Sequence, residues 1–382
     1  MKNGIIIGAG IGGLTTAIAL LKKGINIEIY EQAKELNEIG AGIWVAPNGL
    51  KVFEQLGIAH EIINAGQPLY KISVTDIYYN PISTIDGMEI SKKHSFKTVA
   101  IHRGRLQKIL ASQIPDGKLF LQKRMKSYHQ TSKGVIAEFE DGSTKETDFI
   151  IAADGIKSSA RLQMSESLNL RYSGQTCWRF VTNVDLPENE EKNMYELWSD
   201  KKGLRVGYSK ISEQQVYGFI THYTKSGGVD NLITLQNDLL KLCDEFPPIV
   251  KDLIESANPK QIIRTDLFDF KPIKQWTDGR VALMGDAAHA TTPNLGQGAC
   301  QAIEDAQMIA DLLSQVDDIS TAMKMYEQRR MKKAHYITNT SWRFAQITNT
   351  TGVLKTILKY ILKSTPKVLQ KRQVDKMYSL DS

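Results

Sequence analysis

Three apolar runs in this chain each end in a carboxylate set among small residues. The first, Gly4-Ile5-Ile6-Ile7, leads into Gly8-Ala9-Gly10-Ile11-Gly12-Gly13, and the alternating run that follows ends at Glu31. That spacing has a defined chemistry: Gly8 permits a tight turn, Gly10 lets backbone approach a pyrophosphate, and Gly13 lets a helix pack closely on its strand. N–H groups at the helix start then face an anion. An acid about 20 residues beyond the glycines suits ribose hydroxyls. The second run, Phe149-Ile150-Ile151-Ala152-Ala153, ends in Asp154-Gly155. The third, Val281-Ala282-Leu283-Met284, ends in Gly285-Asp286-Ala287-Ala288-His289. Open parallel sheets take their ligands at the carboxyl ends of the strands, so all three acids are candidates for one shared ligand edge.

The elements that must position these groups follow from hydrophobic periodicity. Leu14, Ala17, Ile18 and Leu21 recur at helical spacing, and Lys22-Lys23-Gly24 closes that helix. Ile25, Ile27 and Ile29 then alternate as a strand. The small-residue stretch from Gly40 to Gly49 reads as a loop that lets backbone come close to a ligand, followed by a helix ending at Gly57. Between residues 70 and 98 the text changes to short alternating segments, and the first layer returns at Val99-Ala100-Ile101-His102, with Arg103 at a strand-to-helix junction. Residues 172–270 again read as short strands with aromatics, interrupted by one helical run over 232–246. There Arg205, Gly207 and Ser209 share one face of a strand, and Tyr217, Phe219 and Thr221 share one face of its partner. After the third acid, Pro293-Asn294-Leu295-Gly296-Gln297-Gly298 opens a helix whose N-terminus favours negative charge.

Whole-chain properties exclude several functions. The 382 residues suffice for a sizeable core, and three scattered cysteines, Cys177, Cys243 and Cys300, suggest buried thiols rather than a disulfide framework or a zinc site. No metal ligand set is expected. No apolar run reaches the ~18 residues of a membrane span and no secretory leader is recognised, so a cytoplasmic protein is expected. The net charge of +6 is no footprint for nucleic acid. Residues 353–378 carry Lys355, Lys359, Lys363, Lys367, Lys371, Arg372 and Lys376 against Asp375 alone, which accounts for the excess. Val353, Leu354, Ile357, Leu358, Ile361 and Leu362 recur at helical spacing opposite these lysines. Such a basic amphipathic helix can lie on an anionic membrane. The expectation is that it packs its apolar face on its own protein and leaves the lysines solvated.

The run from Gly285 to His289, followed by residues 293–298, resembles the second flavin motif of the single-component FAD-dependent aromatic monooxygenases. With residues 8–13 and Asp154-Gly155, all three motifs of that family are present in order over residues 1 to about 340. Tyr172-Ser173-Gly174 and residues 294–305 are most similar to the urate hydroxylase, salicylate hydroxylase and zeaxanthin epoxidase branch. The resemblance implies an α/β fold: a Rossmann-like FAD-binding domain (1–71, 98–171 and 271–340), an antiparallel-sheet substrate domain (72–97 and 172–270) and a C-terminal helical segment (341–382). It implies that Gly8, Gly10 and Gly13 hold the FAD pyrophosphate, Glu31 the adenosine ribose, Arg103 the flavin side chain and Asp286 the ribityl and phosphate region. Pro293, Gly296 and Gly298 would present backbone to the isoalloxazine ring, and Asp154-Gly155 would serve FAD and pyridine-nucleotide handling. Arg205 and Tyr217 would reach substrate or flavin. The implied reaction uses NADH or NADPH and O2 to hydroxylate a small aromatic or heteroaromatic substrate through a flavin hydroperoxide. A flavin oxidase or dehydrogenase without oxygen insertion, and a non-catalytic binding protein on the same fold, are the alternatives. His289 is expected to be a satisfied structural histidine.

Overall fold

Asn3–Ile7 becomes the middle of a sheet because its side chains are apolar on both faces, as a doubly covered parallel strand requires. In the computed structural model, which describes residues 2–36, 41–165 and 169–380, six strands form this sheet. Their order is Thr277–Asp278, Val281–Leu283, Phe149–Ala152, Asn3–Ile7, Asn26–Tyr30 and Leu119–Phe120. All neighbours run parallel except the edge pair of Thr277–Asp278 with Val281–Leu283. Ile6 sits opposite both Ile29 and Ile151, and Ile151 opposite Ala282. This register brings the carboxyl ends of three strands to one edge, and with them Glu31, Asp154 and Asp286.

The helix Ile11–Lys22 connects the first two parallel strands and packs on the sheet and on Gly298–Gln315. The glycines make this contact possible. Gly8 takes φ +103°, and its N–H donates to the Tyr30 carbonyl at 2.8 Å. A Cβ at Gly13 would stand 2.0 Å from the Gly8 carbonyl oxygen, and one at Gly12 2.9 Å from the Ala302 side chain.

The second layer is a seven-stranded sheet of order Ile263–Phe270, Leu170–Thr182, Val216–Tyr223, Arg205–Lys210, Asn193–Trp198, Lys71–Asp76 and Pro81–Asp86. Its pairs are antiparallel apart from Asn193–Trp198 with Lys71–Asp76, where two distant segments of chain meet in parallel. Three expectations are corrected nearby. Val99–His102 does not join the six-stranded sheet; it pairs with Gly42–Val45 and Gln67–Pro68 in a small antiparallel sheet. Ile43, Trp44 and Val45, read as loop, are therefore strand, since their own backbone groups find partners there. Gly40 lies outside the described residues. The helical run over 232–246 is the shorter Leu235–Leu242, and a second helix, Pro248–Glu255, starts at the proline pair.

The last helices also differ from expectation. Ile319–Thr348 runs without a break through the boundary expected at residue 340. Residues 353–378 form two helices, Gly352–Ser364 and Lys367–Tyr378, separated at Pro366, which has no N–H to continue the first. The first turns Lys355 and Lys359 inward and its apolar face out: Lys355 is buried while Val353, Ile357 and Ile361 are exposed. Lys355 donates to the Lys201 carbonyl at 3.0 Å and Lys359 pairs with Asp200 at 2.7 Å. These polar partners on the protein surface set the helix's rotation against its amphipathic pattern.

The close approach at Gly13 gives a direct test of the packing. Gly13→Ala must displace the Gly8 turn or the helix, and should lower stability by about 1–3 kcal/mol, read from a thermal or urea melt.

Candidate active site

The edge carrying the strand-end acids faces the seven-stranded sheet across a cavity of about 410 Å³. One wall is built for an anion. Gly10 caps the helix Ile11–Lys22 without a side-chain hydrogen bond, which leaves the first-turn N–H groups free for a ligand. Nothing lies within 4 Å of where a Cβ on Gly10 would be, so the turn is open on that side. Glu31 stands behind it, its two carboxylate oxygens accepting the N–H groups of Ala9 at 2.7 Å and Ala33 at 2.8 Å. Further lone pairs on both oxygens stay available to hydroxyl donors. Gly10, Gly12, Gly13, Arg103, Gly155 and Asp286 line the cavity here. Protein around it pushes the Asp286 carboxyl up, while His289, Arg103 and Arg161 pull it back towards ionisation. An open glycine turn, a free helix N-terminus and a ribose-ready acid on one edge fit the diphosphate and ribose of a dinucleotide.

The opposite wall is aromatic. Trp44 meets Tyr217 and Phe219 edge-on, at 6.1 and 6.0 Å between ring centroids. Strand alternation puts Tyr217, Phe219 and Thr221 on this face, and Gly207 leaves room for the Phe219 ring, which would lie 2.2 Å from a Cβ there. The Tyr217 phenol is buried, which raises its pKa, and among the described residues it has no hydrogen-bond partner. Arg205 is buried and fully engaged: Nη1 donates to Glu196 at 2.7 Å, Nε to Thr221 at 3.1 Å, and Nη2 to Asn294 at 2.8 Å. It therefore fastens the 293–298 loop to the sheet. Arg179 is different, with Nη2 donating to Thr265 at 2.9 Å and a buried Nε without a partner. No carboxylate lies within ion-pair distance of it or of Arg103 among the described residues, and the two guanidinium groups repel across the cavity.

Beneath Asp286 lies a buried charged cluster. Asp305 accepts the Gly285 N–H at 2.9 Å and the Arg330 Nε at 2.8 Å, and lies 2.6 Å from His289 Nε2. Arg330 and Lys333 both pair with Glu304 at 2.8 Å. Glu304 also accepts from Asn48 at 2.6 Å. Burial alone would raise the Asp305 pKa, but His289 and Arg330 outweigh it and hold the carboxyl well below the usual range. The cluster fixes Gly285 at φ +56°, the turn that presents Asp286 to the cavity.

Of the residues singled out in the sequence, Gly10, Gly13, Arg103, Gly155, Arg205, Tyr217, Asp286, Pro293, Gly296 and Gly298 line this cavity. Gly8, Glu31 and Asp154 stand just outside the lining. Asp154 accepts the Ser159 N–H at 2.9 Å at the start of a helix, while its buried Oδ1 has no partner. Sequence reading missed Trp44, Arg179, Glu196 and Arg330. Arg179 had a signal in its alternation with Cys177, whereas Arg330 lies on a helix face that nothing local distinguishes from a solvated one.

The FAD binding domain family matches residues 2–341, nearly nine-tenths of the chain. The chain is similar to the Aurachin C monooxygenase/isomerase of Stigmatella aurantiaca, with 35% identity covering 91% of this chain and 90% of that one. It is also similar to the FAD-dependent urate hydroxylase of Klebsiella pneumoniae, with 32% identity covering 85% of each chain. The crystal structure of Klebsiella pneumoniae HpxO complexed with FAD and uric acid superposes with a TM-score of 0.91 at 28% identity, covering 98% of this chain and 96% of that one. The chain belongs to the FAD binding domain family. Within it, the chain is an FAD-dependent aromatic monooxygenase related to the urate hydroxylases.

The buried cluster predicts a pH-dependent defect. Because the Asp305 pKa is depressed in the fold, its pairing stabilises above the unfolded value of about 3.9 and is lost as pH falls through the folded value. Arg330→Met leaves two buried carboxylates short of a partner and should cost about 3–5 kcal/mol at neutral pH. In urea melts the gap to the unsubstituted protein should narrow towards pH 4, as protonation removes the uncompensated charge.

Proposed function

We propose that this enzyme uses NADH or NADPH and O2 to hydroxylate a small, anionic, electron-rich aromatic or heteroaromatic compound. The observation that carries the substrate class is the pairing of the Trp44, Tyr217 and Phe219 box with Arg179, a half-buried side chain whose buried Nε has no partner and whose charge no carboxylate among the described residues neutralises. A planar ring fits the box, and a phenolate or enolate oxygen gives Arg179 the charge-assisted hydrogen bond it lacks. The Tyr217 phenol would donate a second hydrogen bond to the ring substituents.

Gly8, Gly10 and Gly13, with the following helix N-terminus, would hold the FAD pyrophosphate, and Glu31 the adenosine ribose. Arg103 and Asp286 would take the flavin side chain, and Asp154-Gly155 would shape the edge where FAD and the nicotinamide nucleotide are handled. When bound there, FAD would supply the redox chemistry, with the nicotinamide nucleotide as two-electron reductant and O2 as oxidant, one oxygen atom going to the substrate and the other leaving as water. Backbone at Pro293, Gly296 and Gly298 would face the flavin ring and stabilise charge on it. Arg205 acts as a positioning residue, holding that loop through Asn294. The segments 1–71, 98–171 and 271–340 would thus carry FAD, and 72–97 with 172–270 would cover the substrate and exclude water.

The reading is tested on FAD-loaded protein with urate, hydroxynicotinates, salicylate and hydroxyquinolones, following NAD(P)H, O2, peroxide and product mass. A ring compound should accelerate NAD(P)H oxidation and gain one oxygen atom with little peroxide. Peroxide alone, or a product without added oxygen, would replace the monooxygenase with an oxidase or dehydrogenase. Arg179→Leu should raise KM for the anionic substrate roughly 10- to 100-fold with FAD content unchanged, the scale of a lost charge-assisted hydrogen bond.

A further inference from the structure

Helix Gly352–Ser364 stands inverted on the protein, and the face it leaves outward has no partner among the described residues. At about 100° per residue, Lys355, Leu358, Lys359 and Leu362 form one face, which is turned to the protein. The other holds Val353, Ile357, Tyr360 and Ile361, from 49% to 77% exposed. Past Pro366, helix Lys367–Tyr378 is anchored by buried Val374 and Tyr378, while Val368 and Leu369 at its start are exposed. Counting Leu354, seven of the sixteen exposed large hydrophobic residues among those described fall within residues 353–369. Single exposed apolar residues need no explanation, but a cluster of this kind marks an interaction surface.

The charges around the cluster say which surface. Lys363, Lys367 and Arg372 are exposed, and no carboxylate lies within ion-pair distance of them among the described residues. Asp375, the acid on these helices, is already held by Lys93 and His94. An apolar stripe rimmed by free cations complements hydrocarbon lying under negative headgroups. A second copy of the chain is a poor occupant, because a two-fold contact sets the patch against itself and opposes lysine to lysine. No helix among the described residues is long and apolar enough to cross a membrane, so contact is by lying in the interface.

We propose that helices Gly352–Ser364 and Lys367–Tyr378 dock this flavoprotein on the surface of an anionic lipid bilayer. The inner lysines keep the helix on the protein, and the outer apolar face enters the headgroup boundary.

The test is flotation of the full, FAD-loaded chain with phosphatidylcholine vesicles, with and without about 30% phosphatidylglycerol. The chain should float with the anionic vesicles, much less with phosphatidylcholine alone, and be released by about 0.5 M NaCl. The double variant Ile357→Glu/Ile361→Glu should lose flotation at least ~10-fold, and Lys363→Gln roughly 5-fold. Both change exposed positions, so FAD content and melting temperature should hold. The proposal is overturned if the chain stays behind with anionic vesicles, or if the Glu variants float as well as the unsubstituted protein. A concentration-dependent dimer that Ile357→Glu dissolves, without flotation, would overturn it in favour of a self-interface.

Discussion

Asp305 is the group on which the site rests. Its carboxylate is fully buried, and burial of a charge is tolerated only where partners replace water. Gly285 N–H, His289 and Arg330 are those partners, and they come from a strand end, a short helix and a long helix. The positive-φ Gly285 turn that aims Asp286 at the cavity follows from this cluster. Glu304, one residue earlier, extends it to Lys333 and to Asn48 on the helix Pro47–Gln55. A polar network of this kind is unforgiving: satisfied, it fixes one arrangement, and short of one member it carries an uncompensated charge.

A second clasp acts across the cavity. Arg205 spends its donors on Glu196, Thr221 and Asn294, so the substrate sheet and the glycine-rich 293–298 loop are held at one separation. The two clasps grip that loop from both sides, since the helix it opens also carries Glu304 and Asp305. What they leave unspent defines the chemistry. Arg179 keeps a charge that the protein does not neutralise, and Tyr217 keeps a free phenol beside two other aromatic rings. In a site closed against water such groups act on whatever ring lies between them with far more force than at a surface.

The inverted helix Gly352–Ser364 shows where pattern and context part. Its sequence has a clear amphipathic period, and packing the apolar stripe inward is what that period implies for a soluble fold. The structure instead buries Lys355, with its pKa pushed down to about 8, against a backbone carbonyl. The desolvation of Lys355 is only partly offset by its hydrogen bond and by the nearby Asp200 carboxylate, and the apolar stripe is left for another surface.

The sequence by itself determined the elements near the glycine turn, because each depends on neighbours within about 30 residues: turn, helix start, alternating strand and terminal acid are local signals. The faces of Arg205–Lys210 and Val216–Tyr223 were legible for the same reason, since side chains alternate in any strand. Only the tertiary structure decided which strands become neighbours. It moved Val99–His102 into a small separate sheet, set one parallel pair in the substrate sheet, and brought Trp44 across to Tyr217 and Phe219. Arg330 and Asp305 lie 25 positions apart, on different helices, and neither reads locally as anything but a surface charge. Their pairing, like the rotation of Gly352–Ser364, is fixed by which partners the fold brings within hydrogen-bond distance, and no local period encodes that.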